Sequence, residues 1–427
     1  MDTARGAAQA ERAANQVACL RFVADADEAR TVGVISEATG LSRPTVHAVL
    51  DDLADAGLVE STSPATAGPG RPARAFRFVR EAGLVAGVDL GPRGARAIIC
   101  DLSGRRVGYA ELPADATRRP LRAHRAPRAS GTSRGEADVA RKLDGPGALS
   151  LIPRALEAAA ASPMPDHRAA GMQAGALDLG RLRAVGVGLP GVVEADGQLR
   201  ASLAMPELVG LPVSELLAKE FGQPVVVDND IKLAALAEQR GGAGRGYSDV
   251  VYLQIGHRLS LSIVLNGVIR QGRHRLAGEL GAQRGMRWTR NAQRGQLVWS
   301  ARPTSAEVLS AAAAGDADAQ AELEDFCAQI AARIATVLLV VDPEVVVVRG
   351  GAAQDSSALL RPLAAAVEKE LVFPERPPFV AATLGREAVV LGAVGNAFDR
   401  CSSAIYGVHD YPGPWTHITH EVERTTT

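Results

Sequence analysis

An α/β fold preceded by a small winged helix-turn-helix is the architecture this sequence predicts, on three observations. From Leu84 onward, strand-like runs alternate with helical ones: VVVDND leads into KLAALAEQ, and a long helix near 321–341 precedes VVVVRGG. Before that body, a capped amphipathic segment follows a glycine turn in TGLSRPTVHAVLDDL. Just beyond it lies a Gly/Pro turn studded with arginine, GPGRPARAFRF.

A chain of 427 residues has room for two or three domains. With 47 basic and 48 acidic residues the net charge is -1, so any nucleic-acid contact must come from local clustering. Cys19, Cys100, Cys327 and Cys401 lie far apart without Cys-x-x-Cys spacing, which argues against a disulfide framework and a cysteine-built metal site and fits a reducing cytoplasm. No uncharged apolar run approaches the roughly 20 residues that span a bilayer, and the polar N-terminus carries no targeting signal.

Taken in order, residues 13–80 read as the winged domain. Ser42 is a good N-cap, Pro44 suits the first helical turn, and Val46, Val49, Leu50 and Leu53 fall on one face. Gly40 supplies the turn from the preceding helix. Ser42, Arg43, Thr45 and His47 then stand at the outer N-terminal half, where a recognition helix reads the major groove; His47 is equally well an exposed residue without contact. Arg71, Arg74 and Arg77 form a basic strip at the wing, suited to phosphates or the minor groove.

A boundary falls near 80–83, and the body is expected over 84–400. LVAGVDL, ARAIICDLSG and RRVGYAEL suggest a hairpin or meander. Residues 114–147, rich in Arg, Ala, Pro, Ser and Gly, read as a flexible insertion whose arginines, Arg118 to Arg128, could touch DNA but read first as a solvated basic stretch. Order returns with LSLIPRALEAAAA and, after a second low-complexity patch, with RAVGVGLPGVV; VVYLQIG and LSLSIVLNG form a strand pair. Residues 401–427 lack periodicity and are expected to be poorly ordered.

Several of these segments together resemble the ROK family (repressors, open reading frames and kinases): TGLSRPTV with AGLV and GRPAR, DLG at Asp89–Gly91, GVGLPGVVEADG, VVVDND with LAALAE, AGELG at Ala277–Gly281, and DPEVVVVRGG. The resemblance implies a two-lobed, actin-like ATPase/sugar-kinase fold behind the winged helix. It also implies an ATP-and-hexose site, which can be checked position by position. Asp89 and Gly91 match the phosphate loop, but Pro92 and Arg93 follow them, and proline removes a backbone donor. Asn229 and Asp230 match the family's Asn-Asp pair, Asp230 being the base; the same residues could simply end a strand and cap a helix. Glu279 matches a sugar-hydroxyl ligand, whereas Ala282, Val298 and Met205 stand where polar sugar contacts are expected. On the adenosine side Gly350 and Gly351 are kept, preceded by Arg349, and QIGHRLSLSI keeps only Gly256 of a second glycine-rich loop. The family's zinc ligands are replaced by Ala282, Thr289, Asn291 and Gln296, so no zinc is expected, and no other cofactor.

The expectation is a cytoplasmic, sequence-specific DNA-binding repressor of carbohydrate-related or other metabolic genes, catalytically degenerate. Its partners would be an inverted-repeat operator and a second copy of the chain in a homodimer or higher homo-oligomer; a sugar or sugar-phosphate effector is one reading of the body, and a regulator working through protein contacts or operator occupancy alone is another. The alternative is an ATP-dependent hexose kinase using Asp230 as base.

Overall fold

The computed structural model describes residues 2–26, 28–62, 74–115, 145–164, 176–256, 258–283, 289–293, 296–350, 357–373 and 375–420. The chain divides into two compact units: Met1–Gly191 with Ala195–Val227 and Ala397–Gly413, and Val192–Glu194 with Asp228–Asn396 and Pro414–Thr427.

The first unit opens with helix α1 (Asp2–Ala24), followed by β1 (Arg30–Thr31), α2 (Val32–Thr39), α3 (Arg43–Asp55), β2 (Val59–Thr62) and β3 (Ala75–Phe78). Gly40 ends α2 in the left-handed conformation that glycine adopts without a Cβ penalty, at φ 72°, and its N–H donates to Ser36 O. Two residues later Ser42 starts α3 by accepting the Thr45 N–H at 3.3 Å. Val46, Val49, Leu50 and Leu53 are buried as their spacing requires, in company with Leu20, Ile35 and Phe76. The strands pair antiparallel in the order β1-β3-β2, with Glu60 opposite Arg77. This is a winged helix-turn-helix. Arg71 and the rest of 63–73 lie outside the described residues, as do Arg118 to Arg128 and most of the expected insertion.

The body of the first unit is the sheet β10-β7-β4-β5-β6, built from β4 (Leu84–Gly91), β5 (Gly94–Asp101), β6 (Arg106–Pro113), β7 (Leu182–Leu189) and β10 (Val225–Asn229). The expected meander is there: β4, β5 and β6 are antiparallel neighbours, and β7 runs parallel to β4. Two short helices, α4 (Gly145–Leu149) and α5 (Leu151–Ala161), follow the meander; β8 (Val192–Val193) pairs with β9 (Leu199–Ala201), and α6 (Val213–Phe221) leads into β10. The second unit follows with α7 (Asp230–Gly241), β11 (Val250–Ile255), β12 (Leu259–Leu265), β13 (Val268–Ile269), the hairpin β14 (Ala292–Gln293) and β15 (Gln296–Leu297), α8 (Ser305–Ala313), α9 (Ala317–Val341), β16 (Val345–Arg349), α10 (Ser357–Glu368) and β17 (Phe379–Ala381). Its sheet order is β13-β12-β11-β16-β17. Counted from the first strand of each sheet, both units carry the order 3-2-1-4-5, with an antiparallel pair between strands one and two and a parallel pair between one and four. One topology is used twice, the two-lobed arrangement of the actin-like and sugar-kinase folds. In the second copy α9 buries Leu323, Phe326, Ile330, Ile334 and Leu338 against Val251, Leu253, Val346 and Val348.

The expectation of a poorly ordered tail is corrected by α12 (Ser402–Tyr406) and α13 (Trp415–His420), which follow α11 (Ala388–Arg400). Ile405, Tyr406, Tyr411, Trp415 and Ile418 are all buried, and Tyr406 donates to Leu102 O at 2.7 Å. Helices of five and six residues are too short to show an apolar period; irregularly spaced aromatic anchors hold this segment instead. Residues 421–427 lie outside the described residues.

Asp101 shapes the β5–β6 turn by accepting the Ser103 N–H, the Ser103 hydroxyl and the Arg105 N–H through Oδ1. Burial pushes its carboxyl up to about 6 even so. A folded value above the unfolded one means that its contribution to stability is complete below about pH 4 and is lost as pH rises through 6. Asp101→Asn keeps the acceptor and cannot ionise. Urea melts should show it more stable than the parent at pH 7.5 by roughly 1–3 kcal/mol, with the difference gone at pH 4; an equal difference at both pH values would refute the assignment.

Candidate functional site

Two sets of residues carry chemistry, each within one unit. The first is the outer face of α3. Arg43 and His47 are exposed, and among the described residues neither side chain makes a hydrogen bond or an ion pair. Ser42 and Thr45 are occupied with the cap, their hydroxyls 2.8 Å apart. The cap thereby positions the two free side chains at the helix N-terminus, where backbone N–H groups also favour phosphate. At the wing Arg74 stacks over Phe76, with its guanidinium carbon 4.9 Å from the ring centroid, and donates to Ser61 Oγ at 2.9 Å and to Asp51 on α3 at 3.2 Å. Arg77 is paired with Glu60 at 2.7 Å. The acidic partners Asp51 and Glu60 are absent from the sequence reading. Both pairs are exposed, so each costs little to exchange for a phosphate.

The second set lies at the junction of β10 and α7. Asn229 caps α7 by accepting the Lys232 N–H at 3.0 Å, and Asp230 in the first turn accepts the Ile231 N–H at 2.8 Å. The capping role is therefore real, whatever else the pair does. Beside them, buried Lys232 donates from Nζ to Gln271 Oε1 at 2.8 Å and to Arg275 O at 3.1 Å, while Gln271 Nε2 donates to Asp228 Oδ2 at 3.0 Å. Burial pushes the Lys232 amine down, against the attraction of Asp228 and Glu279. Glu279 is pushed up by burial and held back by Lys232 and Arg258. Glu279 thus shares one polar cluster with Asp228, Lys232, Arg258 and Gln271, which Asn229 joins through the Lys232 N–H, while Asp230 stands next to it in the chain. Of the first four partners, Asp228 stands in the VVVDND run that the sequence marks, and Lys232, just before the apolar LAALAE, is a lysine where the helix buries its face; Arg258 and Gln271 carry no such mark.

The nucleotide positions fare differently. In the first unit Asp89 lies opposite Arg96 on β5, which lies opposite Glu111 on β6, and the guanidinium joins both carboxylates at 3.4 and 3.0 Å. Gly91 and Gly94 close the hairpin around exposed Pro92 and Arg93. In the second unit Gly350 is buried, and Arg349 before it bonds Gln254 and donates to Gly385 O at 3.1 Å. Gly351 lies outside the described residues.

The residues at the family's zinc positions do not fit the metal. Thr289 donates to Gln329 Oε1 at 3.0 Å, Asn291 donates to Val298 O at 3.2 Å and to Glu322 at 3.4 Å, and Ala282 and Gln296 are exposed. Glu322 also accepts the Ser300 and Ala301 N–H groups. Helix α9 holds this loop with carboxylate and amide groups, and these hard donors lack the thiolate and imidazole of a structural zinc site. Of the remaining substituted sugar positions, Met205 is fully buried and Val298 lies on the open side of the loop.

Residues 172–295 and 285–398 match the ROK family, and residues 12–68 match the MarR family. The chain is 33% identical over 232 residues to the bifunctional enzyme NanE/NanK of Brucella suis biovar 1, an alignment covering 50% of this chain and 42% of that protein. It therefore spans less than half the length of that relative. The crystal structure of the ROK hexokinase from Thermus thermophilus superposes with a TM-score of 0.52 at 25% identity, over 74% of this chain and 98% of that one. A ROK family transcriptional regulator, a homolog of the E. coli MLC protein, gives 0.62 over 96% of this chain and 98% of the other; at 19% identity that likeness concerns the fold.

Proposed function

The chain belongs to the ROK family, and from that premise we propose that it is a sequence-specific DNA-binding regulator, a repressor of metabolic genes whose kinase-like body senses a ligand. One observation carries the reading: a MarR-type winged helix presents Arg43 and His47 free on the capped end of its recognition helix. Arg43, Thr45 and His47 are assigned to base edges, and Ser42 to positioning them. Arg71 and Arg74 are assigned to the backbone of the duplex. Two copies reading an inverted repeat is the arrangement that a helix-turn-helix favours. Asn229, Asp230 and Glu279 are assigned to the hydroxyls of a sugar-like effector. Neither zinc nor ATP is required in this scheme.

Fluorescence anisotropy with DNA from the gene's own upstream region tests it. Arg43→Ala should weaken binding about ten- to a hundredfold, the effect of losing one bidentate base contact. Arg74→Ala should weaken it less and lower the salt slope by about one. Unchanged affinity in both variants would remove α3 as the reading surface.

The kinase reading is favoured by Asn229 and Asp230 standing together at the strand-helix junction. Against it, Asp89 is neutralised by Arg96, and Pro92 takes a donor from the turn. Phosphoryl transfer depends chiefly on positioning and charge stabilisation, which a lone base does not supply. A coupled assay with ATP and hexoses should show no turnover sensitive to Asp230→Asn.

A further inference from the structure

We infer that the polar cluster of Lys232, Arg258 and Glu279, next to Asn229 and Asp230, takes an anionic, polyhydroxylated ligand, a sugar phosphate or a sugar acid, with Arg258 receiving its negative group and Glu279 its hydroxyls. This rests on the reading of that cluster as an effector site and narrows the class of effector.

Two charges in this cluster lack partners among the described residues. Arg258, between β11 and β12, and Glu279, after the β13 loop, are both half-buried and near enough to feel each other's charge. Yet among the described residues neither side chain makes a hydrogen bond or an ion pair. Desolvated charges are ordinarily paired and hydrogen-bonded. A guanidinium fork and a carboxylate left open side by side offer donors for an anion and acceptors for hydroxyl groups.

The backbone is arranged to bring them together. After β13, Arg270 N donates to Ile263 O at 2.8 Å, so the chain turns back along β12. Gly278, at φ 85°, lies so close to β12 that a Cβ there would fall 2.0 Å from Leu261 O. Only glycine permits that approach, and it sets Glu279 near the Arg258 end of the strand. The intervening loop is fixed as well, since Lys232 holds Gln271 and the carbonyl of Arg275, a residue with φ 58°. Lys232 is spent on this scaffold and on Asp228 and Glu279, whereas Arg258 is not.

The cations Lys232, Arg258, Arg273 and Arg275 outnumber the carboxylates Asp228, Asp230 and Glu279, which favours an anion over a neutral sugar. Asp228 is already bonded to Gln271 and to its neighbour's N–H. Lys232 feels the charges of both Asp228 and Glu279, and Arg258 that of Glu279. The loop adds Arg273, exposed and without a partner among the described residues. A neutral hexose would satisfy Glu279 and leave the guanidinium bare. A ligand bearing both hydroxyls and a phosphate or carboxylate satisfies both.

The test is isothermal titration of the full-length protein with glucose, mannose, galactose and N-acetylglucosamine, each beside its 6-phosphate, and with glucuronate and inorganic phosphate. At least one anionic sugar should bind ten times or more tighter than its neutral parent. Arg258→Gln should lose that advantage, about ten- to a hundredfold, with an unchanged melting temperature because the side chain bonds none of the described residues. Arg258→Lys should recover part of it, since charge is kept but the fork is not. Glu279→Gln should weaken neutral and charged sugars alike. If a neutral sugar binds as tightly as its phosphate and Arg258→Gln changes neither, the anionic class is wrong; loss of both with Glu279→Gln would then leave the effector site standing. Binding of inorganic phosphate alone, indifferent to Arg258→Gln, also overturns the assignment. If no sugar binds, charged or neutral, both the class and the effector site fall.

Discussion

Replacing Glu238 by alanine is expected to cost the second unit about 2–4 kcal/mol, the penalty of one buried and several part-buried donors losing their acceptor. Glu238 ends the apolar stretch LAALAE on α7 and is 1% exposed. Its Oε2 accepts the Ala243 N–H at 2.8 Å and the N–H and hydroxyl of Thr383, both at 3.2 Å; its Oε1 accepts the Leu384 N–H at 2.8 Å. One carboxylate thus fastens the end of α7 to two stretches of chain separated by about 140 residues of sequence. Truncation strips four donors of their acceptor, the Leu384 N–H fully buried and the others partly so, and the loss of the charge-assisted bonds adds to that penalty. Glu238→Gln keeps one acceptor oxygen and replaces the other by a donor aimed at donors, so it should fall between the parent and alanine. Denaturant melts followed by tryptophan fluorescence decide the matter. Trp299 and Trp415 both lie in the second unit and report on it. A loss below 1 kcal/mol for Glu238→Ala would mean that water or neighbouring groups replace the carboxylate.

The same residue marks what a sequence can disclose. LAALAE reads as a helix with one glutamate too many on its buried side, but its acceptors' partners, at 383 and 384, become visible only when the fold brings them there. Local features were legible: Ser42 and Gly40 delimit helices as their side chains dictate, and the β4–β5–β6 meander follows from alternation and turn residues. Long-range pairings were not. Arg96 neutralises Asp89 because the strand register sets them opposite one another, a relation that requires the register to be known. Lys232 and Gln271 meet across 39 residues. Tyr406, Tyr411 and Trp415 order a tail that has no period at all, since the packing of single large rings needs none. The repeated sheet order is invisible for a similar reason: the two copies share topology and burial pattern, and each of those is satisfied by many different apolar residues.

Leu50→Ala is expected to destabilise the winged helix by about 3–5 kcal/mol and to abolish DNA binding at 37 °C, in contrast with the surface change Arg43→Ala. Leu50 is fully buried on the inner face of α3, which packs against α1 and α2, and Leu20, Ile35 and Phe76 of the same domain are likewise unexposed. Removing its branched end leaves a cavity that a packed three-helix core cannot fill without moving α3, the element that carries Arg43 and His47. A domain of this size has only about 5–10 kcal/mol to lose. The two variants therefore separate two ways of losing affinity. Arg43→Ala should keep the parent's melting curve and its salt slope to within about one counterion, with weaker binding at every temperature. Leu50→Ala should bind DNA at 10 °C, where the domain is still folded, and release it along the same temperature course as its circular dichroism melts. If Leu50→Ala bound DNA normally at 37 °C with its helical signal intact, the burial of this face would not be what sets the recognition helix in place.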